Sequence, residues 1–380
     1  MVKNGRLLSL DVLRGADMIL LTCVGGLIRG IDTWWGPFAG LSAQTGHPYE
    51  GFTLWDMILP LFVYISGASI PLGFGKKLDA NGRPTKSFWV HLAKRFVFLW
   101  LLGMILQNGL LSLDPMKIDP YRNVLQTIAI LMVVTSFLWL AKSWKIRLTV
   151  PFLVIVAVGI LQAVWGDYSE AGSISWRMEV CWRTAVLPVG NVGLQPRGYN
   201  SFLVSTIVCA FVFGPAGCFT VEFLKGKNTA RFKLMVLVGI GLMLMALGWC
   251  FLPWVPSIKR MMSISFSMRA LGGCFLLMAA SYWLIDVLKC RRGIRIFLLY
   301  GQFSLVAYVF HSLFLRPLQT AGGIVTQGLP FWFGEPSRDF WISTGVVALQ
   351  TWFLVIWSRA KAFMVSRVTS STPSTHVQQF

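Results

Sequence analysis

The chain has 380 residues, of which 55% are hydrophobic and only 13% charged, and its mean hydropathy is +0.65. A soluble domain would carry about 25% charged residues, so the composition excludes an ordinary water-soluble enzyme. The net charge of +19 does not mark a nucleic-acid binder either, because Lys and Arg fall in short loops between apolar runs rather than in stripes interleaved with aromatics.

Apolar runs long enough to cross a hydrocarbon core of about 30 Å as helices recur along the whole length. In chain order they are 8–28, 53–72, 88–110, 124–141, 148–164, 201–224, 234–252, 264–285, 296–315 and 340–357. They predict an all-α, polytopic integral membrane bundle of about ten helices. One transmembrane domain is expected over 1–368, followed by a polar, Ser/Thr-rich tail at 369–380 that is expected to be disordered. The first run carries Asp11, Arg14 and Asp17 and has no small-residue cleavage site, so it reads as a retained helix.

Loop charges set the orientation. One side of the ten-helix map holds 22 Lys and Arg residues, among them Lys76, Lys77, Lys145, Arg147, Arg291 and Arg292. The other side holds nine, including Arg177, Arg183, Lys259 and Arg260. This bias predicts that both termini are cytoplasmic and that the loop carrying His47 lies across the membrane. On that far side the loops are longer and expected to be more structured: 30–52 contains Trp34 and Trp35, 165–200 pairs acidic and basic residues with several Gly and Pro, and 316–339 is rich in Gly and aromatic residues. The seven cysteines form no CxxC and no ligand cluster, so neither a disulfide framework nor a metal site is expected.

Several polar residues stand out against this background. Asp11 and Arg14 are three apart and share a helix face, reading either as an anchoring ion pair or as a lining for an anionic ligand from the cytoplasm. Asp17, deeper in the same run, needs a partner, and Arg269 is the most evident buried cation for it or for a ligand. His47 precedes the second run, with Glu50 and Asp56 as the nearest carboxylates to orient its ring. Imidazole chemistry near neutrality allows a base or a nucleophile there, although a loop histidine is also simply a solvated residue. His311 lies near the outer end of the ninth run, while Gln107, Asn108 and Gln126 are amides near the same face. These amides suit either hydrogen bonding to a sugar or contacts between helices. His91 reads as interfacial. No phosphate-binding loop, dinucleotide fingerprint or hydrolase motif is present.

The opening R-L-L-S-L-D-V-L-R-G (Arg6–Gly15) resembles the R-x-x-S-x-D-x-x-R-G start of transmembrane acyltransferases. His47, followed by G-F-T-L-W-D-M-I-L-P-L-F-V-Y-I-S-G (Gly51–Gly67), is similar to the histidine loop and next helix of the heparan-α-glucosaminide N-acetyltransferase family and its bacterial relatives. N-V-L-Q-T-I-A (Asn123–Ala129), K-R-M-M-S-I-S-F (Lys259–Phe266) and G-Q-F-S-L-V-A-Y-V-F-H (Gly301–His311) keep the family's order. There are departures. The His47–Gly51 gap is one residue shorter, Tyr49 replaces a tryptophan, Thr127 replaces an arginine, and an acidic turn appears as Gln195-Pro196-Arg197-Gly198. They fall on the acceptor side.

The resemblance implies transfer of an acetyl group from cytoplasmic acetyl-CoA, as co-substrate, to the amine of a glucosamine-type sugar or glycan on the periplasmic side of a bacterial inner membrane. On that reading His47 and Asp56 are catalytic, with His47 as nucleophile or general base. Arg14, Asp11 and Arg269 serve the cofactor, Gln126, Asn108, His311 and Glu50 serve the acceptor, and no metal or nucleic acid takes part. Membrane lipid is a partner, and a homodimer is left open. The alternatives are an amino-sugar permease of the N-acetylglucosamine type and a noncatalytic membrane subunit that binds a lipid or glycan.

Overall fold

The computed structural model describes residues 7–36, 39–107, 121, 123–141, 143–186 and 202–370. The described residues are helical nearly throughout and form no strand, with one isolated bridge between Leu78 and Pro84. Seven helices are long and apolar enough to cross a membrane: Trp55–Lys77, Lys86–Leu106, Trp144–Trp165, Phe202–Lys225, Ala230–Phe251, Ile264–Val287 and Glu335–Phe363. An eighth arises if Ile294–Gln302 and Ser304–Thr326, which meet at 79°, are one broken span. The Leu8–Ile19 helix, with its three charges, and the 17-residue Val124–Leu140 helix are more charged or shorter than these.

The helices divide into two compact units. The first comprises Met1–Leu13 and Ala43–Cys290, the second Arg14–Ser42 and Arg291–Phe380. In the first unit Trp55–Lys77, Phe202–Lys225 and Ile264–Val287 are mostly buried and form the centre. Lys86–Leu106, Trp144–Trp165 and Ala230–Phe251 lie at the periphery, with Leu148, Phe152, Leu153, Val164, Met235 and Leu242 exposed. Such outward apolar faces are what hydrocarbon solvates. The central pair approaches closely because both helices carry glycine at the crossing. A Cβ on Gly67 would stand 2.1 Å from the Gly214 carbonyl oxygen. Beside that crossing Tyr64 Oη donates to Thr220 Oγ1 at 2.5 Å. Without a hydrophobic drive between helices in lipid, such small-residue contacts and buried hydrogen bonds hold the bundle.

Some helix starts carry side-chain caps. Asn123 and Gln126 close a reciprocal capping box at the start of Val124–Leu140, Thr229 caps Ala230–Phe251, and Ser263 caps Ile264–Tyr282. In the second unit Phe310 stacks on Phe353 at 3.8 Å between ring centres, joining Ser304–Thr326 to Arg338–Ser370. The Arg338–Ser370 helix takes in Thr369 and Ser370, and the rest of the expected tail lies outside the described residues. The long loops expected to be the more structured ones do contain helix. Ile174–Val186 is a helix bearing a buried Arg183–Glu179 ion pair at 2.6 Å, and the 316–339 stretch is helical to Thr326.

Candidate functional site

The site forms in the first unit where the loop 46–53 enters the second expected run. Thr53-Leu54-Trp55-Asp56 fits the capping-box pattern, with aspartate in the fourth place. The Asp56 backbone N–H points to Thr53 Oγ1 at 3.3 Å. In return Asp56 Oδ2 accepts from the Thr53 backbone N–H at 3.2 Å and from its hydroxyl at 2.8 Å. One carboxylate oxygen is thereby committed to starting the helix. The other, Oδ1, stays available above it.

That oxygen meets His47 Nδ1 at 2.8 Å and Lys259 Nζ at 3.2 Å. A carboxylate accepts and does not donate, so the proton of this contact belongs to Nδ1. The Lys259 ammonium also lies 3.3 Å from Nδ1. Because the Nδ1 proton already points to Asp56, that contact is between two donors, and the ammonium's hydrogen bond goes to Oδ1. In the neutral imidazole the lone pair is therefore on Nε2. The His47 side chain is 48% exposed while Asp56 is 2% and Lys259 14% exposed. This is the arrangement of an oriented general base or nucleophile: a buried acid fixing one ring nitrogen, with the other presented to solvent. Burial lowers the Lys259 ammonium from the ordinary lysine range, and Asp56 opposes that shift by favouring the charged form.

The loop is tied on several sides. Gly51, with φ +135°, occupies a conformation that side chains rarely adopt, and it donates to the Ser257 carbonyl at 2.8 Å. The Trp55 N–H donates to the Gln44 carbonyl at 3.1 Å. Tyr49 Oη donates to the Tyr168 carbonyl at 2.5 Å, and Tyr168 Oη to that of Trp254 at 3.1 Å. Burial, with the charges of Glu170, Asp167 and Glu50, pushes the Tyr49 phenol up to about 12 against the opposing charge of Arg260, so it stays a donor at neutral pH. Arg260 faces the Tyr49 ring at 5.7 Å and pairs with Glu170. Lys259 is presented by a short 3-10 turn, Lys259–Met261, after which Met262 turns left-handed at φ 47°.

Of the expected site residues, the structure brings His47 and Asp56 into direct contact. Glu50 is exposed, and Asp56, not Glu50, orients the ring. Arg269 lies against aromatic faces, 4.5 Å from the Phe52 ring centre and 4.3 Å from that of Trp249, beneath the histidine loop. Asp17 is buried, and neither of its carboxylate oxygens has a hydrogen-bond partner among the described residues. Asp11, buried, and Arg14, half-buried, both lie on Leu8–Ile19. Gln126 Oε1 accepts from the Asn123 N–H at 3.0 Å, so its carbonyl serves the capping box. His91 packs edge-on against Phe74 at 5.2 Å. His311, in the second unit, contacts Gln350. Asn108, Gln195–Gly198, the side chain of Gln107 and His376 lie outside the described residues. Among the described residues no group of three or more His, Cys, Asp or Glu side chains is placed to hold a metal ion.

Sequence reasoning missed Lys259 as part of the site. It opens the K-R-M-M-S-I-S-F stretch, where nothing in the sequence separates it from the other loop cations.

Residues 6–164 match the model of a family described as a domain of unknown function (DUF5009). No curated protein matches the chain.

Proposed function

We propose that the protein is a membrane acetyltransferase that moves the acetyl group of cytoplasmic acetyl-CoA to the amine of a glucosamine-type sugar or glycan on the periplasmic face of a bacterial inner membrane. The observation that carries this reading is the 2.8 Å contact from His47 Nδ1 to Asp56 Oδ1, which leaves Nε2 as an exposed lone pair. In the covalent route Nε2 attacks the thioester carbonyl, the C–S bond breaks, and CoA leaves as a thiolate that takes up a proton. The acceptor amine then attacks the acetyl-imidazole carbonyl, the bond to Nε2 breaks, and the amine loses one proton. In the direct route Nε2 instead removes that amine proton while the amine attacks the thioester. Both routes convert acetyl-CoA and amine to amide and CoA.

Asp56 holds the ring and stabilises the positive charge that develops on it. Within the first unit, Asp11 and Arg269 are assigned to the cofactor, and Gln126 and Glu50 to the acceptor. The ten-helix topology with cytoplasmic termini belongs to this proposal, because it brings the acceptor side of the chemistry to His47. Purified protein that forms acetylated glucosamine from acetyl-CoA, and loses this in His47→Ala, supports the reading. Equal product with His47→Ala overturns it.

A second reading, an amino-sugar permease, is favoured by the 79° break between Ile294–Gln302 and Ser304–Thr326. Discontinuous helices line substrate sites in many transporters. Uptake of labelled N-acetylglucosamine without acetylation, indifferent to His47→Ala, is its signature.

A further inference from the structure

The second unit contains a hydrogen-bond chain whose direction is fixed from one end. Thr22 Oγ1 donates to the Met18 carbonyl at 2.8 Å, inside the π-helical turn Leu20–Val24 that interrupts the first helix. Such turns are frequent at functional sites. A hydroxyl has one proton, so toward any further partner Thr22 accepts. Gln350 Nε2 donates to it at 3.0 Å. Gln350 is fully buried, and with its amide nitrogen on Thr22 its Oε1 faces His311 Nδ1 at 3.2 Å. An amide oxygen only accepts, so Nδ1 of His311 carries the proton and Nε2 keeps its lone pair. The same chain is braced by Cys23, whose Sγ lies 3.4 Å from Thr22 Oγ1 and 3.5 Å from Tyr300 Oη. Tyr300 Oη in turn lies 3.0 Å from Thr351 Oγ1.

An isolated neutral imidazole in water favours the proton on Nε2. Here a buried amide imposes the opposite tautomer on a half-buried histidine, within a helix apolar enough to belong to a membrane span. Among the described residues no group donates to the His311 Nε2. A polar acceptor in such surroundings is costly unless something donates to it.

We propose that Gln350 is a positioning residue that holds His311 with its proton on Nδ1, so that Nε2 accepts a hydrogen bond from an N–H or O–H group of a polar ligand bound in the second unit. The proposal does not depend on acetyl transfer at His47.

The test uses nitrogen NMR of full-length protein in nanodiscs with isotope-labelled histidine. The sequence has four histidines, so single His→Gln variants assign each signal. The expected result is a wild-type His311 with its proton on Nδ1, a switch toward Nε2–H in Gln350→Leu, and retention in His47→Ala. Thr22→Val, which frees the amide to turn over, should switch the tautomer as well, while Thr22→Ser restores it. If Gln350→Leu does not purify as a monodisperse protein, the two Thr22 variants carry the test. A wild-type His311 protonated on Nε2, or a tautomer unchanged in Thr22→Val, overturns the positioning role. For the ligand, glucosamine, N-acetylglucosamine and acetyl-CoA are each added to saturation. A shift of the His311 Nε2 signal with one of them, reduced in Thr22→Val and restored in Thr22→Ser, supports the acceptor role. No shift with any of the three overturns it.

Discussion

His47 has two ring nitrogens, and its neighbours divide their work. Asp56 holds the proton on Nδ1, and the exposed edge carries the lone pair. Asp56→Asn keeps the shape but offers an amide that can donate to Nδ1, which favours the wrong tautomer. Transferase turnover should fall about 10²–10⁴-fold with little change in substrate KM, as measured by steady-state kinetics. A fall confined to KM would mean that Asp56 binds substrate instead. Lys259 offers a pH test whose sign is set by the ion pair. Burial lowers its ammonium from the lysine range and the Asp56 charge opposes this. Removing that charge must lower the midpoint further. Lys259 should therefore deprotonate at a lower pH in Asp56→Asn than in wild type, read by NMR of the isotopically methylated amine. A midpoint that rises or stays fixed contradicts the contact.

At the scale of the element, the site is a consequence of how one helix starts. Thr53 and Asp56 satisfy each other's backbone donors, and this cap is what leaves Asp56 Oδ1 facing the loop. Thr53→Val removes the hydroxyl and should cost about 0.5–2 kcal/mol. It should also lower turnover roughly tenfold or more through the loosened carboxylate, even though neither His47 nor Asp56 is altered. Unchanged turnover would separate the cap from the chemistry. Gly51→Ala places a side chain at φ +135°, a strain of about 1–3 kcal/mol, and should lower thermal stability and turnover together.

Much of this element was legible beforehand. The pairing of His47 with a nearby carboxylate follows from proximity in the chain, which offers Glu50 and Asp56 alike, and the Thr53–Asp56 cap that places Asp56 under the ring emerges from the structure. Lys259 was not legible as a site residue. It arrives from a distant loop through the packing of Ile264–Tyr282, and a single cation there looks like any other loop charge. Gln126 was legible only as an amide at a helix start, and the 3.0 Å contact with the Asn123 N–H adds that its carbonyl closes a capping box.

At the scale of the molecule, hydrophobic run lengths foretold a helical chain with several helices long and apolar enough to cross a membrane, because hydrocarbon requires every backbone group to be satisfied within its own helix. They did not foretell the division into two compact units or the helix Ile174–Val186, which depend on contacts between distant segments. The proposed orientation has a direct check in the native thiols. Cys181 and Cys290 are both exposed and free, and the loop charges place them on opposite sides. In sealed right-side-out vesicles, an impermeant maleimide should label Cys181 and spare Cys290 until the membrane is opened. The reverse pattern would invert the topology.

The central claim is that His47 transfers an acetyl group across the membrane. Protein reconstituted into liposomes, with acetyl-CoA on the side of the basic loops and glucosamine on the other, tests it most directly. The account predicts acetylated glucosamine on the His47 side, lost with His47→Ala and sharply reduced with Asp56→Asn. Glucosamine left unacetylated by the wild-type protein, or acetylated equally well by His47→Ala, would contradict it.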